Sequence, residues 1–332
     1  MRQPNALFIL DPFHFDAFYG PAERNDLRRL SRFPEYCYSR EMIAATPGLL
    51  ADVDLIYSGW GAPCLDEAFL NAAPNLKAFF YAGGSIKGFV TEAFWERNIP
   101  ITSAFNVNAV PVAEFALAQI ILSQKWVWKF NQQMRDRHGS PCDGQPPGLY
   151  GRTVAIISLG TIGRLVVEKL RHFDVRIIAC DPFTSTEEAL KLGVELVSLE
   201  EAFATADVVS LHTPLLEETI GMIDGRLLSS MKMGAVFINT ARGKLIKETE
   251  MIDVLKQRGD LFALLDVTTE EPPPKDSPLY ILPNVRLTPH IAGSTGSEIR
   301  RMGRCMVEEV ERFLKGEPLK WQITQEREKI LA

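Results

Sequence analysis

The chain has few of the residues from which metal centres and disulfide frameworks are built. Its five cysteines, Cys37, Cys64, Cys142, Cys180 and Cys305, are odd in number, far apart and never in a Cys-x-x-Cys pair. That spacing points to reduced thiols in a cytoplasmic protein and argues against a zinc site or a cross-linked scaffold. An excess of positive charge is also missing: 36 Lys and Arg stand against 42 Asp and Glu, a formal charge of -6, with no block of one sign. A nucleic-acid partner is therefore not expected, since phosphate binding needs cations gathered on one face. A small anionic substrate is still allowed, because one well-placed arginine can capture a carboxylate. Long apolar runs are absent too. The greasiest segment, 112–122, is interrupted by Glu114 and Gln119, short of the ~20 apolar residues that span a bilayer, so no membrane partner is expected. The apolar stretch 6–10 is too short for a signal-peptide core and runs into Asp11-Pro12, which makes it a first strand instead.

With 332 residues, 46% of them hydrophobic, the chain can bury a core in each of two domains. Short apolar runs alternate with helical patterns, the signature of a parallel sheet wrapped by helices. Strands are expected at 6–11, 54–59, 76–83 and 99–104, with helices at 65–72 and 91–97 between them. Residues 108–131 read as one long helix and 139–151 as a Pro/Gly-rich loop, after which the alternation restarts. Six strands are expected there, at 153–157, 175–180, 207–213, 235–241, 261–267 and 285–288, as two mononucleotide-binding halves require. The charged helix 294–315 is expected to return to the first layer.

The first turn of this second half is Ser158-Leu159-Gly160-Thr161-Ile162-Gly163, the dinucleotide fingerprint G-x-G-x-x-G with serine in place of its first glycine. Gly160 would let the backbone approach a pyrophosphate, Thr161 and Ile162 open the helix that supplies free N–H groups, and Gly163 permits close packing of helix on strand. Ser158 puts a Cβ where the fingerprint has none, which would crowd the turn. Asp181 ends the next strand at the spacing of a carboxylate that accepts from the adenosine ribose. It would repel the extra phosphate of NADP, and no arginine follows in Asp181-Pro182-Phe183-Thr184. NADH is therefore expected to be preferred over NADPH. No metal is called for.

Five histidines can be compared one by one. His14 lies in an aromatic loop, His138 in a polar stretch and His172 late in a helix, places that suit structural or solvent-facing roles. His212 ends a strand before Thr213-Pro214, at the edge where ligands collect, as a cofactor-side or packing residue. His290 ends the last strand in Leu287-Thr288-Pro289-His290. It keeps company with Leu264-Leu265-Asp266-Val267, with Glu270-Glu271-Pro272 and with Asn239-Thr240-Ala241-Arg242-Gly243. Arg242, Glu271 and His290 each follow a short apolar run, so each is delivered to the edge of a sheet: a guanidinium clamp, and an imidazole backed by a carboxylate.

This series of motifs, most specific from residue 150 to 295, resembles the D-isomer-specific 2-hydroxyacid dehydrogenase family, which includes D-lactate, glycerate and phosphoglycerate dehydrogenases and hydroxypyruvate/glyoxylate reductases. The resemblance covers nearly the whole chain. It implies two doubly wound parallel-sheet α/β domains: a flavodoxin-like substrate (catalytic) domain of residues 1–104 and 292–332, and an NAD-binding Rossmann domain of residues 105–291. Hinge closure around substrate and cofactor would go with that architecture. By resemblance Arg242 binds the substrate carboxylate and carbonyl, His290 exchanges a proton with the 2-hydroxyl, and Glu271 holds His290 in the right tautomer. The loop after the strand at 76–83 holds the carboxylate through N–H groups at Gly83 and Gly84, beside Ala82. Thr240, Ala241, Arg242, Asp266 and His290 match positions around the nicotinamide, and Thr213-Pro214 a turn beside the cofactor. A homodimer through the cofactor domain, partly through 108–151, is also implied.

The chemistry fits those residue types. Hydride arriving at a 2-keto acid puts negative charge on the carbonyl oxygen, which a guanidinium and a protonated imidazole stabilise more in the transition state than in the ground state. Loop 58–63, placed by the family near the substrate, carries no Lys or Arg, so a phosphorylated substrate lacks an evident clamp there and phosphoglycerate is disfavoured. Trp60 in that loop would form an apolar wall for a substrate side chain. The family also contains NAD(H)-sensing corepressors, an alternative that an intact Arg242, Glu271 and His290 argue against. Formate dehydrogenase, a sister activity, uses glutamine where this chain has Glu271.

Overall fold

The computed structural model describes residues 2–138 and 143–330; Cys142 and the start of the expected loop at 139–151 lie outside them. The chain divides into two compact units, residues 1–108 with 294–332, and residues 109–293.

In the first unit the apolar runs become parallel strands β1 (Ala6–Ile9), β2 (Cys37–Tyr38), β3 (Leu55–Ser58), β4 (Ala78–Tyr81) and β5 (Ile101–Ser103). They lie in the order β5-β4-β3-β1-β2, and Gln322–Ile323 pairs antiparallel with β5 at the edge. Alternate residues bury opposite faces, as a sheet covered on both sides requires. Ala6, Phe8 and Leu10 enter one core with Met302, Met306 and Val310 of helix Ile299–Lys315, so the charged C-terminal helix does belong to this layer. Leu7 and Ile9 enter the other core, with Phe69, Leu70 and Phe94. Because Ile9 pairs with Ser58 and Ser58 with Tyr81, the loops after β1, β3 and β4 leave from one edge.

The second unit holds β6 (Thr153–Ile157), β7 (Arg176–Cys180), β8 (Glu195–Leu196), β9 (Val208–Leu211), β10 (Val236–Asn239), β11 (Phe262–Leu265) and β12 (Val285–Leu287). All are parallel, in the order β12-β11-β10-β9-β6-β7-β8. Among the described residues seven strands form where six were expected, the addition being the two-residue β8. Val154 and Ile156 pack on one face against Ala113, Ala116, Ile120, Val166 and Val167. Ala155 and Ile157 pack on the other, against Phe203 and Val209. Strand order reverses between β6 and β9, so the turns after these two strands meet at the crevice where open α/β sheets take ligands.

The single helix expected over 108–131 is instead two, Phe105–Gln124 and Val127–Asp136. Trp126 adopts the left-handed region at φ 51, the Lys125 and Trp126 N–H groups turn back to the Leu122 and Ser123 carbonyls, and the released Gln124 carbonyl accepts from Gly148 at 3.0 Å. The first helix also starts earlier than expected. Its 20 residues are long and apolar enough, by length and composition only, to cross a membrane, which corrects the expectation that no segment reaches that length. Here Ala113, Ala116 and Ile120 are packed into the core of the second unit.

Candidate active site

The fingerprint turn lies at the switch point. Ser158 takes φ 75, the left-handed conformation for which the fingerprint uses glycine, and its hydroxyl meets that of Thr213 at 2.9 Å. The serine thus keeps the glycine conformation with its Cβ strain, while its hydroxyl is tied to the turn after β9. A Cβ at Gly163 would stand 2.1 Å from the Ser158 carbonyl, so only glycine lets the helix sit this close, whereas Gly160 faces open space. Helix Thr161–Leu170 starts with no side-chain cap, leaving its first N–H groups for an external acceptor. Asp181 accepts from the Leu159 N–H at 2.7 Å and from the Phe183 and Thr184 N–H groups at 2.8 Å each. It therefore makes a local turn and also fixes the fingerprint backbone. Carboxylate oxygens accept more than one hydrogen bond each, so capacity remains for ribose hydroxyls. Open Gly160, the uncapped helix and this anchored carboxylate fit a dinucleotide.

His212, beside Thr213 and Pro214, is buried, and its Nε2 lies 2.9 Å from the Ser210 hydroxyl. Burial pulls its pKa down to about 4, so the ring is neutral at neutral pH.

At the ends of β10, β11 and β12 the structure brings Arg242, Glu271 and His290 together. Buried Asn239 shapes the first turn, its amide oxygen accepting from Ala241 N–H at 2.9 Å and its Nδ2 donating to the Arg242 carbonyl at 3.0 Å. Gly243 lies so close to the next loop that a Cβ would stand 1.9 Å from the Thr268 carbonyl carbon. The Arg242 side chain donates to the Ala241 carbonyl at 2.6 Å, and among the described residues it has no carboxylate within salt-bridge distance. Burial draws its pKa below the ordinary value, and the charge of Glu271 opposes that. The same Glu271 accepts from His290 Nδ1 at 2.6 Å. With Nδ1 committed to a carboxylate, which can only accept, Nε2 is the ring nitrogen left for another group.

His290 stands at φ 53, held by its N–H donating to the Asp266 carbonyl at 2.9 Å. The buried Asp266 carboxylate fastens the same turn, accepting from the Thr288 hydroxyl at 2.5 Å and from the Ile291 and Ala292 N–H groups at 2.9 and 2.8 Å. Asp266, expected near the nicotinamide, is thus also the anchor of the histidine turn. A cavity of about 220 Å³ opens on this edge, lined by Thr240, Asp266, Thr288 and Arg286 with Gln119 and Trp128. The buried Thr240 hydroxyl there has no partner, an orphan that a polar cofactor group can satisfy.

In the first unit, Ser103 Oγ donates to the Gly83 carbonyl at 2.8 Å and contacts that of Gly84, turning both carbonyls toward β5. Ala82 N–H is used by the Ser58 carbonyl, while those of Gly83 and Gly84 have no partner among the described residues. Trp60 packs edge-on against His14 and Phe18, at 4.9 and 5.1 Å between ring centres. Glu114, to which the sequence assigns no role, pairs with Lys169 at 3.2 Å. Ser103, and Arg164, whose Nε donates to the Leu159 carbonyl at 2.6 Å, shape these corners yet belong to no motif that singles them out.

The profile of the D-isomer specific 2-hydroxyacid dehydrogenase NAD-binding domain matches residues 117–292. This chain belongs to that family, a class of NAD-binding oxidoreductases. It is similar to D-3-phosphoglycerate dehydrogenase of Mycobacterium bovis, 34% identical over 83% of this chain and 51% of that protein, and so spans about half the length of such relatives. It is also 34% identical to the glyoxylate reductase of Korarchaeum cryptofilum, over 76% of this chain and 77% of that one. Among solved structures, D-lactate dehydrogenase from Aquifex aeolicus, complexed with NAD and lactic acid, is 26% identical with a TM-score of 0.73, over 94% and 96% of the two chains.

Proposed function

We propose that this protein is an NAD-dependent D-2-hydroxyacid dehydrogenase that reduces a small, non-phosphorylated 2-keto acid at C2, or oxidises the matching hydroxy acid. The observation that carries the reading is Glu271 acting on both partners, bonded to His290 Nδ1 at 2.6 Å and opposing the burial of Arg242. In this reading Arg242, with one protein acceptor and donors to spare, binds the carboxylate and carbonyl of the substrate. Ala82, Gly83 and Gly84, the two glycines with N–H groups unused among the described residues, and Trp60 are assigned to substrate binding in the first unit. His290 Nε2 gives the proton that the developing alkoxide takes up, and Glu271 keeps Nδ1 protonated and the ring oriented.

NADH, preferred over NADPH, supplies the hydride when bound. Its pyrophosphate falls to Ser158, Gly160, Thr161, Ile162 and Gly163, its ribose to Asp181, its middle to His212, Thr213 and Pro214, and its nicotinamide to Thr240, Ala241, Arg242, Asp266 and His290. Residues 105–291 act as the cofactor domain and the remainder as the substrate domain. The protein works as a cytoplasmic homodimer joined through the cofactor domain, with neither nucleic acid nor membrane as partner.

The phosphoglycerate dehydrogenases among the relatives favour a second reading, and the absence of Lys and Arg from loop 58–63 opposes it. The test follows NADH oxidation over glyoxylate, hydroxypyruvate, bulkier aliphatic 2-keto acids and 3-phosphohydroxypyruvate. Turnover of at least one non-phosphorylated acid above the phosphorylated one is expected. Preference for the phosphorylated acid would move the assignment to phosphoglycerate, and tight NADH binding with no turnover would move it to a sensor.

A further inference from the structure

The sequence after Asp181 offers no arginine to a 2′-phosphate, yet the fold supplies one from another element. Arg164, in the first turn of the helix that the fingerprint opens, donates through Nε to the Leu159 carbonyl at 2.6 Å and through Nη2 to the Thr184 hydroxyl at 3.5 Å. Leu159 N–H and Thr184 N–H both donate to Asp181, at 2.7 and 2.8 Å. Arg164 and Asp181 thus close one hydrogen-bonded ring with the fingerprint backbone on one side and Thr184 on the other. The ring holds a cation in the corner that the proposed function gives to the adenosine ribose. Its remaining nitrogen, Nη1, lies 2.8 Å from Glu188, with both side chains partly open to solvent. Glu188 itself sits in the short helix Thr186–Lys191, and its N–H is capped by Ser185.

We infer that Glu188, by masking Arg164, is a second determinant of dinucleotide choice beside Asp181, and that the corner is a phosphate-binding site held closed by one carboxylate. The inference rests on the dinucleotide reading of this corner. A 2′-phosphate carries up to two negative charges and seeks a fork of N–H donors. Against Asp181 and Glu188 together it meets two carboxylates and a guanidinium already spoken for. With Glu188 neutralised, Arg164 keeps its place through Leu159 and Thr184 and has Nη1 free for a phosphate oxygen. A ribose hydroxyl gains nothing from that change, so affinity for NADH is not expected to move with it.

Binding of NADH and NADPH by nicotinamide fluorescence decides the matter for wild type, Glu188→Gln and Glu188→Gln/Arg164→Met. Glu188→Gln is expected to tighten NADPH by roughly tenfold at low salt, the size of one charge-assisted contact at a half-exposed site, with NADH within about twofold of wild type. Adding Arg164→Met should abolish the gain, and adding salt should shrink it. Good NADH binding with an unchanged ratio of NADPH to NADH affinity in Glu188→Gln overturns the inference and leaves the dinucleotide reading standing. Failure of all three proteins to bind either dinucleotide overturns both.

Discussion

Burial acts on single side chains in the second unit, with opposite outcomes for an arginine and a histidine. Arg242 is drawn below its ordinary pKa by burial, with Glu271 opposing; as an arginine it stays charged, and a charge held this way is a ready receptor for an anion. His212 shows the opposite outcome, a ring kept neutral. Its folded pKa is about 4 against an ordinary 6.5, so between those values the unfolded chain binds the extra proton. Stability from this group is complete above pH 6.5 and is lost as pH falls toward 4, by about 3 kcal/mol in the limit. Urea unfolding of wild type and His212→Gln at pH 7.5 and 4.5 reads this directly. Wild type is expected to lose about 2–3 kcal/mol more than the variant across that interval. Parallel losses would mean that His212 is not the buried neutral ring described here.

Elements place these side chains through their ends. The strands were legible because alternate apolar residues cover both faces of each sheet, so β6 reads as an unbroken buried run even in isolation. The two-residue strands β2 and β8 were not, since neither is long enough to show a period. The break at Trp126 was illegible too: nothing in Ser123-Gln124-Lys125-Trp126-Val127 announces a left-handed residue. Ser158 is the most instructive element end. Sequence flagged it as a misfit, and the structure shows the misfit borne by φ 75 and answered by Thr213. Ser158→Ala keeps the left-handed backbone and loses the hydroxyl contact, whereas Ser158→Gly loses the contact and the strain. The glycine variant should be the more stable of the two by about 1 kcal/mol in urea unfolding. Equal stability, or a more stable alanine variant, would contradict the strain assigned to this turn.

At the scale of the whole chain, motifs spread from residue 158 to residue 290 are delivered to one edge of the second sheet because every strand in it runs parallel. This is why Arg242, Glu271 and His290 could be singled out together from sequence: each follows an apolar run, and parallel strands end alike. What sequence did not offer was the Arg164–Glu188 pair, built from two helices with no motif between them, nor the anchoring of the His290 turn by Asp266. The proposed chemistry stands on this one site. The most direct test of it measures NADH oxidation with the best 2-keto acid by wild type, His290→Gln and Arg242→Ala, with NADH affinity measured alongside. His290→Gln is expected to lower kcat by about 10²–10⁴ with NADH binding retained, and Arg242→Ala to raise KM as well as lower kcat. A His290→Gln enzyme as fast as wild type would contradict the proposed role of His290.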